Sequence, residues 1–229
     1  MPFPVTHLRV AEYVTREMGL DDAQSAEVLL GAIAPDGVHY RAGIGDMTRA
    51  AFGDMKKTSH LCPVSDEAWG YVTDNDGWLR EIIAFVAAHK GDFFALGYGV
   101  HVLTDLHNNR TIWANFRAAY PEEVAKGYNS AYYAELPGLD LELYQQPEMA
   151  RVLRLLPLAE ARGMAERVSA DEVAAVRASI FSADNGAYQS YVNQPPADTS
   201  GNVLVTSGMM RDFVAGAVRA CVAHFSYRQ

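Results

Sequence analysis

Residues 93–109 read FFALGYGVHVLTDLHNN, an apolar run that carries His101 and, four residues later, Asp105. On an α-helix, positions i and i+4 lie on one face a turn apart, so the imidazole and the carboxylate are offered to the same place. A carboxylate buried without a partner is strongly disfavoured. A divalent cation gripped by both groups supplies that partner; so does a His–Asp hydrogen bond inside the core, and the spacing by itself leaves both open. Gly97 and Gly99 in the same run each cost about 1 kcal/mol relative to alanine within a helix. Their presence predicts that something, a neighbouring helix or a bound group, comes close to this backbone.

Further ligand-type residues occur at other points of the first half. They are His7 in THLRVAEYV, Asp36 and His39 in GAIAPDGVHYR, and His60 in KKTSHL. Imidazole and carboxylate are the groups Zn²⁺ prefers. Their scatter suits a helical bundle, whose metal sites collect side chains from several facing helices. His89 and His224 read differently. His89 sits beside Lys90 at a helix end, where a donor or cation suits the exposed carbonyls, and neither has an acidic companion at helical spacing.

These residues require helices to position them, and the chain reads as helix after helix with no convincing strand. Leu8, Val10, Ala11 and Val14 share a helical spacing that Gly19 ends. Asp21 or Asp22 can cap a second helix that continues to Ile33 before Pro35. HYRAGIGD reads as loop, and a short helix is expected around Met47 to Met55. GWLREIIAFVAAHK and the His101 segment, which starts near Asp92, are joined so tightly that they should pack together, antiparallel. Residues 112–146, with Pro121 and Pro137, suggest two short helices, and Glu148 to Arg167 reads as another. Ser169 to Glu172 matches the S-x-x-E capping box ahead of VAAVRASIF. Residues 193–202, NQPPADTSGN, are loop. The closing helix buries Phe213, Val214, Ala217, Cys221 and Phe225 along one stripe.

Composition narrows the function classes. A 229-residue chain that is 49% hydrophobic closes a sizeable core, and one domain over residues 1–229 is expected, with the ligand-bearing half at 1–145 and a helical part at 146–229. A net charge of -9 and no basic cluster beyond Lys56-Lys57 argue against a nucleic-acid surface. A small-molecule substrate fits better. The N-terminal segment has neither the charge pattern of a signal peptide nor the length of a membrane anchor, and no run reaches the roughly 20 apolar residues of a span. With only Cys62 and Cys221, a disulfide framework is excluded, and a cytoplasmic protein is expected.

Taken in order, THLRVAEYV, LLGAIAPDGVHYR, MKKTSHL and DFFALGYGVHVLTDLHNNRTIW resemble the zinc-dependent phospholipase C-like family, which shares its all-α fold with the S1/P1-type nucleases. The likeness covers roughly residues 1–145 and is greatest to the family's small, signal-less bacterial branch. It implies a compact multi-helix domain of the phospholipase C/P1 nuclease type with zinc held by His7, His60, His101 and Asp105, the aspartate bridging two ions. It also implies that Asp36 orients or deprotonates the water that attacks. The family's third zinc site is not matched. After Asp105 the chain reads LHNNRTIWANF, with His107 closer than the family pattern and Trp113 where a ligand would stand. YYAEL offers Glu135 but has Ala131 four residues earlier. His39, His107 and Glu135 are the replacement ligands to examine, and one to two zinc ions are expected.

Zinc lowers the pKa of a coordinated water from about 16 to near 7 and polarises phosphoryl or carbonyl oxygens. Hydrolysis of a small phosphomono- or phosphodiester is therefore the expected activity. Arg41, Arg49, Lys56 and Lys57 could neutralise phosphate charge, and Tyr40, Trp69, Trp113, Tyr128, Tyr132 and Tyr133 could line a pocket for an organic leaving group, unless they are ordinary surface cations and core aromatics. Two alternatives stand beside this reading: the same inner site used for non-phosphate hydrolysis or a biosynthetic reaction, or a non-catalytic metal that ties helices together.

Overall fold

The computed structural model describes residues 3–62, 72–183 and 190–226. Among them are eleven α-helices and no strand; the sole β-type pairing is an isolated bridge between Met164 and Val168. The all-α expectation holds. No described helix is long and apolar enough to cross a membrane.

Helix α5, Phe93–Asn108, is the axis of the molecule. Every residue in it except Phe93 and His107 is buried, the pattern of a helix surrounded on all sides rather than laid on a surface. It packs against α1 (Pro4–Glu17), α2 (Asp22–Gly31), α4 (Asn75–Ala88) and α11 (Ser207–Phe225). Asp92 caps it by accepting from Ala95 N–H at 3.1 Å. The glycines are explained by α2. A Cβ on Gly97 would stand 2.0 Å from the Val28 carbonyl oxygen, and one on Gly31 would stand 2.0 Å from that of Phe94. The two helices thus touch backbone to backbone, and only glycine permits it. Gly99 meets α4 and α11 instead: its Cβ would lie 2.3 Å from Val86 Cγ2 and 3.4 Å from Phe225 Cζ.

Several expected boundaries agree with the structure. Asp21 and Gln24 form a reciprocal capping box for α2, and Ser169 and Glu172 form one for α10 (Ala170–Phe181). The predicted stripe of α11 is buried throughout. Helix α3 (Arg49–Ser59) extends the expected Met47–Met55 segment toward His60. HYRAGIGD is tighter than a loop, with 3₁₀ turns at Ala34–Tyr40 and Ile44–Asp46.

Two readings need correction. The helix expected over Glu148 to Arg167 stops after α9 (Met149–Leu155), gives one 3₁₀ turn at Leu156–Leu158, and then leaves the helical state. Pro157 has no N–H to continue the ladder. Beyond it Gly163 lets the chain fold back, since a Cβ there would lie 2.6 Å from the Val168 carbonyl oxygen. Residues 112–146 also hold more than two short helices. A π turn at Asn109–Trp113 leads into α6 (Ala114–Ala119) and α7 (Pro121–Ala125), and α8 (Ala131–Tyr144) runs on through Pro137. Long-range bonds on either side of that proline, made by Glu135 and Asp140, hold α8 in place.

Candidate metal centre

Helices α1 and α5, the 3₁₀ turn at Ala34–Tyr40 and the C-terminal end of α3 meet around one buried cluster. His7 Nε2 lies 3.6 Å from Asp105 Oδ1, and His101 Nε2 and His60 Nε2 each lie 3.6 Å from Asp105 Oδ2. On the other side of His60, Asp36 Oδ1 is 3.4 Å from His60 Nε2 and 3.6 Å from His39 Nε2. The His7 and His101 rings are stacked, 3.7 Å between centroids. Two sets of ligand atoms have all members within 4.8 Å of one another: His7, His101 and Asp105, and Asp36, His60 and His101. The four residues expected to hold metal, and the aspartate expected beside them, are thus brought together. His39 joins at the rim.

Each side chain is aimed by its surroundings. His101 is fixed by its Nδ1, which donates to the Ala32 carbonyl at 2.8 Å and leaves the Nε2 lone pair facing Asp105. The contact depends on the close α2–α5 approach that Gly31 and Gly97 allow. His60 occupies the C-cap of α3, where Leu61 turns the chain with φ 53° and Cys62 N–H bonds back to Lys57 O at 2.9 Å. Its Nδ1 lies 2.7 Å from Ser59 Oγ, its carbonyl accepts from Trp78 Nε1 at 2.9 Å, and the Tyr98 hydroxyl donates to Ser59 O. The left-handed conformation at a leucine is thus held by packing and hydrogen bonds around it.

His7 is placed by a residue that sequence reasoning missed. Helix α1 begins at Pro4 with Phe3 at its N-cap, which has no side chain able to accept the free N–H groups. Asp140, from α8, does so instead: it accepts from Val5 N (3.2 Å), Thr6 N (2.7 Å), Thr6 Oγ1 (2.7 Å) and Tyr191 OH (2.7 Å). Burial pushes its carboxyl up to about 6 despite those donors. The signal was present in the sequence as a helix start with proline at the first position and no capping side chain.

The electrostatics follow from burial. Desolvation lowers His7 and His60 well below the ordinary histidine range and brings His101 down to about 4, so all three rings are neutral at pH 7 and offer lone pairs. Burial and the nearby Asp36 push Asp105 up to about 7. For Asp36, burial acts upward but is outweighed by the Lys56 ammonium and by the neighbouring His101, His39 and His60, which together hold it well below the usual carboxylate range. Asp36 is an anion at neutral pH. His7 Nδ1 and Nε2, His101 Nε2 and both Asp105 oxygens are buried with no hydrogen-bond partner among the described residues. Native proteins rarely leave such atoms orphaned, and a cation among them would satisfy most of them at once. Nitrogen and carboxylate donors of this kind suit Zn²⁺ or a similar divalent ion.

Other candidates lie elsewhere. Glu135 accepts from the backbone N–H groups of Val203 (2.9 Å), Leu204 (2.9 Å) and Val205 (2.7 Å), pinning that loop to α8. His107 packs against Phe213 and the Gly216 backbone of α11. Neither joins the cluster. Arg41 forms a two-pronged pair with Glu172, and Lys57 pairs with Asp54. Trp113 stacks on Phe116 in the core, with Tyr132 and Tyr133 tilted against them, and the Tyr132 hydroxyl donates to Asn108 Oδ1 at 3.2 Å. Trp69 and the side chains of Arg49 and Tyr128 lie outside the described residues. Of the three cations whose side chains are described, Lys56 alone enters the site. Its Nζ lies 3.1 Å from Asp36 Oδ1 and 2.9 Å from His60 Nε2.

Comparison of the chain with protein-family models, with curated proteins and with solved structures gave no match.

Proposed function

We propose that the chain is a metal-dependent hydrolase of a small phosphoester, of the zinc-dependent phospholipase C-like type. The observation that carries the reading is the set of orphaned ligand atoms on His7, His101 and Asp105, fully buried and facing one another. These three would hold a divalent ion, with His60 Nε2 adjoining Asp105 Oδ2. When bound there, such an ion supplies Lewis-acid polarisation of a phosphoryl oxygen and lowers the pKa of water.

The protein's own groups divide the remaining work. Asp36 stays ionised, so it accepts a hydrogen bond and orients a water or substrate hydroxyl; a carboxylate held so far below neutral pH is a weak base and is better suited to orienting than to abstracting a proton. Lys56 supplies positive charge beside it for an anionic oxygen. His39 and Lys56 are the partly exposed members, at 23% and 15%, against at most 6% for the side chains of the others, and substrate would enter past them. The phosphoester assignment rests on this cationic rim together with the family resemblance.

A second reading, a metal that only ties α1, α3 and α5 together, is favoured by the burial of the ligands. Turnover of chromogenic phosphomono- and diesters separates the two. Hydrolysis that disappears with a chelator, returns with zinc and is lost together with metal in His101→Ala is expected. Chelation that lowers Tm without any turnover supports the structural reading, and retention of metal and activity in His101→Ala contradicts both.

A further inference from the structure

The surroundings of Lys56 are unusual for a lysine at a helix end. An ammonium carries three N–H donors, and Lys56 Nζ has three acceptor atoms around it: Asp36 Oδ1 at 3.1 Å, His60 Nε2 at 2.9 Å and His39 Nε2 at 3.2 Å. Two imidazole nitrogens and one carboxylate oxygen make a donor set that elsewhere would be read as metal ligands. The side chain reaches them because Lys56 stands one turn before His60 on α3, so Nζ and the His60 ring share a face.

From this arrangement we infer that Lys56 is a built-in cation occupying what would otherwise be a second metal position, so that the centre takes one divalent ion, on His7, His101 and Asp105. The inference rests on the metal-centre reading above and fixes its stoichiometry. Charge balance supports it. Two carboxylates, Asp36 and Asp105, face the cluster; one divalent ion beside the ammonium leaves a single net positive charge, whereas two would leave three in a buried space. The chemistry fits as well. Three protein ligands leave an open position on the ion, and Lys56, partly exposed beside it, is the second positive charge an anionic substrate oxygen would meet. In this centre an ammonium does the work of the second ion in a two-metal clamp, with no metal to lose from that position.

The test is zinc content per folded chain, by plasma mass spectrometry after equilibrium dialysis against excess zinc and desalting, for the wild type, Lys56→Ala and Lys56→Arg. The wild type and Lys56→Arg are expected to hold one ion. Lys56→Ala, which takes the ammonium away from Asp36, His39 and His60, is expected to hold two, and adding Asp36→Asn to it should return the count to one. Two ions in the wild type overturn the inference and leave the metal centre standing. One ion in a folded Lys56→Ala chain does the same. No ion in the wild type overturns the metal centre itself. Should Lys56→Ala not fold, a wild-type count of two would still refute the inference, and a count of one, matched by Lys56→Arg, would uphold it.

Discussion

Replacing Gly97 by alanine separates what the sequence alone expects from what the packing requires. In an exposed helix the change would stabilise by about 1 kcal/mol. Here the new Cβ would stand 2.0 Å from the Val28 carbonyl oxygen, with Val28 C and Cα at 2.8 and 2.9 Å, all backbone atoms that cannot rotate aside. To regain an ordinary contact the helices must part by about 1.4 Å. Overpacking of this kind costs roughly 1–3 kcal/mol, and rigid backbone on both sides puts it at the upper end. After the helix-propensity gain is subtracted, Gly97→Ala should destabilise by about 2 kcal/mol. The same separation draws Ala32 O away from His101 Nδ1, a bond now 2.8 Å long, and takes it past hydrogen-bonding range. Loss of such an orienting bond weakens metal affinity by roughly 10-fold or more. Urea denaturation of the apo chain gives the first quantity and competition with a chromophoric chelator the second. A Gly97→Ala variant as stable as the wild type, binding metal as tightly, would show that α2 and α5 do not touch as described and that His101 is not aimed through Ala32.

Asp140→Ala should lower stability by roughly 2–4 kcal/mol, because Val5 N–H, Thr6 N–H and the Tyr191 hydroxyl lose a buried acceptor together, and should weaken metal binding through His7; denaturation and metal titration report the two effects. Asp105→Asn removes a buried charge that has no hydrogen-bond partner, so the chelator-treated variant should melt no lower than the chelator-treated wild type while its zinc affinity falls at least roughly 10-fold. For Glu172 burial acts upward, but the Arg41 guanidinium and Ser169 N–H outweigh it and hold the folded-state carboxyl below its ordinary value. Its contribution is therefore fully present above about pH 4.5 and disappears as pH falls through the lower folded-state value. Glu172→Gln should cost about 1–2 kcal/mol at pH 7 and progressively less as pH falls below the ordinary glutamate range, and a cost that does not shrink with falling pH would contradict the pairing.

What the sequence made legible was the part set by local chemistry. Caps at Asp21 and Ser169, the stripe of α11 and the helical spacing of His101 and Asp105 depend on residues within a few positions, and each is found as read. The gathering of His7, Asp36 and His60 around that pair was expected from the resemblance as much as from residue type, since nothing local relates them. What was not legible depends on long-range partners. Glu135 has the right chemistry for a ligand but is committed to amides 68 to 70 residues away. Nothing near Asp140 in the sequence marks it, because the uncapped start of α1 that it serves lies 134 to 135 residues away. Gly97 announced a close approach, and only the tertiary structure identifies α2 as the neighbour. By residue type Lys56 groups with three other cations as a phosphate neutraliser; its contacts with Asp36, His39 and His60 come from a turn of α3 that brings it over the Ala34–Tyr40 segment.

The account stands on a divalent ion bound by His7, His101 and Asp105. Anomalous diffraction at the zinc edge, from crystals of zinc-loaded protein, tests it most directly. A single strong peak among His7 Nε2, His101 Nε2 and the Asp105 carboxylate is predicted, with Lys56 Nζ still on Asp36. No peak there, or ions found only on surface carboxylates, would contradict it.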